Sequence, residues 1–117
     1  MRIVNKKEFY ELPVGTIFSR FVPSCINGLM IKDRTIRHEN GEGFDFCYQD
    51  LIGNLESDNS DEFFEMLDSA QKDSSLEMPM DFDVIERDGE YVDEDLYAVY
   101  SKKDVSDLIE RLKKTLE

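Results

Sequence analysis

The chain has 117 residues, of which 27 are Asp or Glu and 14 are Lys or Arg, so its formal net charge is −13. Hydrophobic residues make up 40% of the sequence, which is enough to build a core and excludes the intrinsically disordered class despite the charge. The length and the absence of a long linker predict a single domain over residues 1–117.

The first third of the chain predicts one short helix followed by strands. Asn5, with Glu8 three residues later, indicates a capped helix that ends before Pro13. β-Branched and aromatic residues predict a strand over 16–22. The dipeptide Asn27-Gly28 is typical of a type I′ hairpin turn, and it leads into an expected strand over 29–32. Two further strands are expected at residues 35–37 and 44–48.

The remainder of the chain predicts two longer helices and two strands. Asn59 indicates a cap for a helix over 60–72, whose apolar side, including Phe63, is expected to face the sheet. Alternation predicts a strand over 80–86, and a last strand over 96–100 precedes an amphipathic C-terminal helix. Together these elements predict an α+β fold with an antiparallel sheet of five or six strands, packed by two longer helices and a short N-terminal helix.

The charge is segregated along the chain. Residues 40–100 contain nineteen Asp and Glu but only Lys72 and Arg87, whereas both flanks carry a small positive charge. Such a field favours a partner with a basic surface, and it opposes direct binding to nucleic acid or to an anionic membrane. No apolar run has the length of a signal peptide or of a bilayer span, so a cytoplasmic protein is expected.

The acidic residues fall into two candidate partner-binding groups. On the expected helix over 60–72, carboxylates three or four residues apart lie about 5 to 6 Å from one another. Such a stripe acts either as solubilising surface or as an array that resembles the phosphates of nucleic acid and occupies a phosphate-binding surface. The two groups are Asp61, Glu65 and Asp68 on the helix, and Asp88, Glu90, Asp93, Glu94 and Asp95 in the following loop.

No metal or cofactor is predicted. The acidic run over 88–95 offers oxygen ligands of the kind calcium prefers, but it lacks the residue order of an EF-hand loop. Cys25, Cys47 and His38 lack the spacing of a zinc site. The sequence also contains neither a Walker lysine motif nor a dinucleotide-binding glycine pattern.

Two alternative functions remain open at this point. The first is a thiol-dependent enzyme that uses Cys25 or Cys47 with His38, although no local catalytic signature supports it and both cysteines are expected to be reduced, buried side chains. The second is a small ligand-binding module, in which the alternating aromatic side chains of Phe44, Phe46 and Tyr48 line an apolar pocket.

The stretch from Lys7 to Phe18, KEFYELPVGTIF, together with the small size and acidity of the chain, resembles small accessory proteins encoded by phages and prophages. This group includes acidic inhibitors of host restriction and of CRISPR defence. The resemblance implies a host nuclease or another nucleic-acid-handling complex as the partner, and the host cytoplasm as the location. It carries over no residue role. We therefore expect a non-enzymatic protein that occludes a basic, nucleic-acid-binding surface by mimicking DNA.

Overall fold

The computed structural model describes residues 1–117 and has an α+β architecture. Its main sheet has six strands in the spatial order β1-β8-β2-β3-β4-β7, and every pair of neighbours is antiparallel. These strands are β1 (Arg2–Asn5), β2 (Ile17–Val22), β3 (Cys25–Arg37), β4 (Gly43–Asp50), β7 (Glu86–Arg87) and β8 (Leu96–Val99).

Two further strands, β5 (Asn54–Leu55) and β6 (Met80–Asp81), pair with each other in a separate two-stranded sheet. The helices are α1 (Lys6–Tyr10), α2 (Ser60–Lys72) and α3 (Lys102–Lys114). None of the three has the length and apolar character that crossing a membrane requires.

The core is a cluster of aromatic rings between α1 and one face of the six-stranded sheet, which we call the front face. Phe9 of α1 stacks on Tyr97 with ring centroids 4.2 Å apart, and it meets the edges of Phe18 and Phe46 at 4.7 and 4.8 Å. All four side chains are fully buried. Because alternate residues of a strand point to the same face, one aromatic from each of three strands is enough to build this cluster.

The first strand was not predicted. Residues 2–5 form β1, and Val4 lies opposite Tyr97 of β8. The segment is only four residues long and leads directly into α1. Its partner strand is more than ninety residues away in sequence, so a local pattern gives no signal for the pairing.

The expected hairpin turn at Asn27-Gly28 is wrong. The chain reverses at Pro23 and Ser24, where Ser24 has φ of 71° and Val22 lies opposite Cys25. Gly28 does adopt a positive φ of 74°, but it lies inside β3 at a shift of the β2–β3 register, as in a β-bulge. The strands expected at 29–32 and 35–37 are consequently parts of one 13-residue strand.

The packing of the two longer helices on the sheet is not confirmed. α2 has the expected boundaries, yet neither α2 nor α3 contains a buried residue, and Phe63 is only partly covered. The single strand expected over 80–86 is wrong as well, because β6 and β7 belong to different sheets. α2 lies in the chain between β5 and β6, which pair with each other outside the six-stranded sheet, and no residue of α2 is buried.

We call residues 51–83, which contain β5, α2 and β6, the acidic arm. It holds ten Asp and Glu residues and a single base, Lys72, and none of its residues is buried. The molecule is elongated, with a radius of gyration of 16.9 Å and extents of 50 × 37 × 26 Å. A compact chain of this length has a radius of gyration of about 13 Å. Core and charge thus occupy different parts of the protein.

Candidate partner-binding surface

The helix of the acidic arm is held at its start by side-chain caps. The backbone N–H of Glu62 donates to Asn59 Oδ1 at 2.8 Å, which satisfies one of the free donors at the helix N-terminus. The Glu62 carboxylate accepts from the backbone N–H of Asp58 at 3.0 Å, one residue before the position that a capping box requires. These bonds fix the residue at which α2 begins.

The three predicted residues of α2 are all exposed and share one side of the helix. Asp68 accepts a hydrogen bond from Lys72 at 3.0 Å, in a pair that is largely exposed to solvent. Asp61 and Glu65 form no ion pair with any Lys or Arg of the chain. On this face of α2, Asp61 and Glu65 are therefore uncompensated, and Asp68 is paired only with the exposed Lys72.

An exposed aromatic side chain, which sequence analysis did not single out, lies within this acidic face. Phe64 is 65% exposed, and it follows Asp61 by three residues and precedes Asp68 by four. Its ring meets the edge of Phe63 at 5.5 Å between centroids. Two consecutive residues on a helix point about 100° apart, and in this helix Phe63 is partly covered whereas Phe64 is exposed.

Asp88 does not lie on the surface. Its side chain is fully buried, with Oδ1 2.8 Å from Arg20 Nη2 and Oδ2 3.7 Å from Lys6 Nζ. The Arg20 contact lacks the alignment of a hydrogen bond, so two cations rather than donors compensate the carboxylate. Burial raises the pKa of the core residue Tyr97, and the charge of Asp88 raises it further. Asp88 is therefore not part of the candidate surface, because its side chain is buried.

The same lysine, at the start of α1, attaches the remainder of the loop to this helix. Lys6 Nζ donates to the backbone carbonyls of Glu90 and Val92 and lies 3.6 Å from Asp95 Oδ2. Asp95 is therefore partly engaged in holding the loop. The other three predicted residues, Glu90, Asp93 and Glu94, are exposed.

A second buried carboxylate, which was not predicted, anchors the start of this loop. Asp45 of β4 is fully buried and accepts hydrogen bonds from the Arg87 side chain and from the backbone N–H of Phe46 and Gly89. Burial alone would raise the pKa of Asp45, but these hydrogen bonds outweigh it and hold the pKa below its usual value. The loop over 86–95 is thus attached to the six-stranded sheet and to α1, which together we call the six-stranded unit, whereas α2 belongs to the acidic arm.

The structure does not bring together the residues of the thiol alternative. Cys25 is exposed at the start of β3, which corrects its expected burial, whereas Cys47 is buried in β4. The His38 ring stacks on Phe44 with centroids 4.2 Å apart. The only hydrogen bond of either thiol runs from Cys25 Sγ to Asn27 Oδ1 at 3.3 Å.

Of the three aromatic side chains of β4, Phe46 belongs to the core, Tyr48 packs against it, and Phe44 stacks on His38. Phe46 is fully buried against Phe9, Phe18 and Tyr97. A cavity of about 450 Å³ lies between α3 and the opposite face of the sheet, where Ile17, Leu29 and Leu108 line it. No group of three or more His, Cys, Asp or Glu side chains is arranged to hold a metal ion.

Comparison of the chain with family models, with curated protein sequences and with solved structures finds no match.

Proposed function

We propose that this protein binds a basic surface on another protein through the acidic face of α2, and that it acts by occluding that surface without a chemical step. The observation that carries the proposal is the arrangement on α2, where the exposed carboxylates of Asp61, Glu65 and Asp68 lie beside the exposed ring of Phe64. Interfaces commonly combine an aromatic anchor with a charged surround in this way.

The carboxylates supply attraction at a distance and orientation on contact. The acidic arm has a net charge of −9, so a partner rich in Lys and Arg is steered toward it and associates faster. Asp61 and Glu65 are free to pair with partner cations because they have no competing ion pair within the protein. Phe64 contributes apolar area that is removed from water when the partner binds.

The spacing of the charges supports a nucleic-acid-binding protein as the partner. Carboxylates about 5 to 6 Å apart along a helix face an opposing surface much as successive phosphates of a nucleic acid do. A nuclease or another nucleic-acid-handling complex offers such a surface, and the resemblance to phage-encoded inhibitors supports the same class. Glu90, Asp93 and Glu94 extend the acidic character of the protein on the six-stranded unit.

Affinity capture from a bacterial lysate, followed by competition with double-stranded DNA, tests the proposal. The captured protein should be a nucleic-acid-binding protein, and excess DNA should displace it because both ligands occupy the same surface. Glu65→Lys combined with Asp68→Lys should weaken binding about tenfold or more, since each lysine replaces an attraction with a repulsion.

The control variant is Glu110→Lys, which reverses an exposed acid on α3 and should leave capture unchanged. Circular dichroism should show that both variants keep the wild-type fold. Capture that persists undiminished with excess DNA, or in the folded α2 variant, would show that the α2 face does not occupy a nucleic-acid-binding surface.

A further inference from the structure

The cavity between α3 and the sheet lies on the face opposite the aromatic core, which we call the back face. Its volume of about 450 Å³ falls within the range of about 300 to 1,000 Å³ that is typical of small-molecule sites. Ile17 and Leu29 of the sheet and Leu108 of α3 line it, and all three are only half-buried. Because α3 contributes no buried residue, it leaves this apolar surface partly exposed to water.

The apolar lining extends beyond this cavity. An adjoining cavity of about 550 Å³ shares Ile17, Tyr100 and Val105 with the first. Leu12 and Val99 continue the apolar lining on that side. Two adjoining cavities with a shared apolar boundary accommodate an elongated apolar molecule better than a compact one.

The two carboxylates that line the first cavity already have partners. Asp104 Oδ2 lies 2.8 Å from the amine of Met1, and it accepts a hydrogen bond from the backbone N–H of Ser101 in the capping box of α3. Asp107 accepts a hydrogen bond from Lys103 Nζ at 2.8 Å. Neither carboxylate therefore requires a cation from a ligand.

The two remaining polar side chains of the lining differ from each other. Ser19 Oγ donates its proton to the backbone carbonyl of Gly28, so the Tyr100 hydroxyl, 2.8 Å away, donates to Ser19 and has no proton left for an anion. Arg111, in contrast, is exposed and forms no ion pair within the protein. Its guanidinium is therefore the side-chain donor of this lining that lacks a partner.

We infer that this cavity binds an elongated apolar molecule that carries one carboxylate. The apolar part lies against Ile17 and Leu108, and the carboxylate lies on the guanidinium of Arg111. A guanidinium presents parallel N–H donors that match the two oxygens of a carboxylate. A phosphate would bring a second negative charge toward Asp104 and Asp107, so a singly charged carboxylate fits this lining better.

The local charge permits an anionic ligand even though the whole chain is acidic. Residues 101–117 contain five Lys and Arg against four Asp and Glu, whereas the net charge of the chain is −13. Charges more than about 8 Å from the site are largely screened at physiological ionic strength. The site also shares no residue with the acidic face of α2, so it is independent of the proposed partner-binding surface.

Titration of the isotope-labelled protein with decanoate and with decanol, followed through its backbone amide NMR signals, tests the inference. The two compounds have the same alkyl chain and differ in the charged group. Decanoate should cause saturable shifts at Ile17, Leu29 and Leu108, and it should bind about tenfold or more tightly than decanol, because only the carboxylate forms charge-assisted hydrogen bonds with Arg111. Absence of saturable shifts at these residues, or equal affinity for the two compounds, would overturn the inference.

A matched pair of variants tests the role of the guanidinium. Arg111→Gln should lower the affinity for decanoate to about that for decanol and should leave the affinity for decanol unchanged. Lys113→Gln, the control, removes the same charge from a residue that points about 200° away around α3 and does not line the cavity, so both affinities should stay at their wild-type values.

Both substitutions change exposed side chains, and the amide spectra show directly whether each variant keeps the wild-type fold. Unchanged decanoate affinity in a folded Arg111→Gln variant, or an equal loss in the two variants, would contradict the placement of the carboxylate on Arg111 and overturn the inference. Because these titrations contain only the purified chain and a small molecule, their result is separate from capture of a basic partner.

Discussion

The six-stranded unit and the acidic arm place the same types of side chain, aromatic and acidic, in opposite environments. Phe46 of the sheet is fully buried among other rings, whereas Phe64 of the arm is 65% exposed. Asp88 of the six-stranded unit is buried between two cations, whereas Glu65 of the arm is exposed and forms no ion pair. Stability is concentrated in one region, and uncompensated charge is concentrated in the other.

This separation shows how one small chain tolerates a net charge of −13. Like charges cost little where they are solvated and screened, as on the arm, and the arm has no core for them to disturb. The buried carboxylates of the sheet are each matched with a base, namely Asp45 with Arg87 and Asp88 with Lys6 and Arg20. The variants below test whether the two regions differ in this way.

Truncating one aromatic side chain in each region should show the largest contrast. Phe46→Ala removes a fully buried ring and leaves a cavity, so it should lower the free energy of unfolding by about 3 to 5 kcal/mol. Phe64→Ala, the matched change in the arm, should stay within about 0.5 kcal/mol. Urea denaturation measures both values. Comparable losses in the two variants would contradict the assignment of the core to the sheet.

Neutralising one buried and one exposed carboxylate of the same loop should give the next largest difference in stability. Asp88→Asn removes the buried carboxylate that lies 2.8 Å from Arg20 and 3.7 Å from Lys6, and it should cost about 3 kcal/mol because removing one partner of a buried ion pair is strongly unfavourable. Asp93→Asn, on the exposed part of the same loop, should change stability by less than about 0.5 kcal/mol. Thermal and urea unfolding provide the comparison. A tolerant Asp88→Asn variant would show that the loop does not depend on this pair.

Local patterns in the sequence predicted much of the fold. The boundaries of α2, the strands near residues 17–22 and 96–99, and the α+β class all agree with the structure, because caps, periodicity and β-branched content act over a few residues. The pairing of β1 with β8 and the division of residues 80–86 between two sheets depend on contacts distant in sequence. The bulge at Gly28 was mistaken for a turn because both need a positive φ.

The sequence identified the acidic residues of the candidate surface, but it did not show which of them are exposed in the folded protein. Sequence analysis gave the carboxylates of α2, which are exposed as expected, but it placed Asp88 in the same class. Two bases compensate the charge of buried Asp88, namely Lys6 of α1 and Arg20 of β2. Both are distant in sequence, so no pattern near residue 88 reveals them. Phe64 was overlooked because a helical apolar pattern does not show which half of the stripe a tertiary contact covers.

Acid should weaken the sheet through Asp45. Its folded pKa lies below the unfolded value, so its ionisation stabilises the fold above about pH 4, and this contribution is lost as the pH falls through the folded pKa. The stability difference between the wild type and Asp45→Asn should therefore be full at neutral pH and should shrink below pH 4. Urea denaturation at several pH values measures it. A difference that stays constant down to pH 2 would contradict the proposed hydrogen bonding of the Asp45 carboxylate.

The smallest expected effect tests whether the arm unfolds separately from the sheet. Asn59→Ala removes the acceptor for the Glu62 N–H at the start of α2, which should destabilise the helix by about 1 kcal/mol. Because α2 contributes no buried residue to the core, the loss should appear as faster hydrogen exchange of α2 amides, about fivefold at this energy, with β2 and β8 unchanged. Ser101→Ala, the equivalent change at the capping box of α3, is the matched control and should accelerate exchange only in α3. Equal acceleration in β2 and β8 after Asn59→Ala would mean that the arm and the sheet unfold as one cooperative unit.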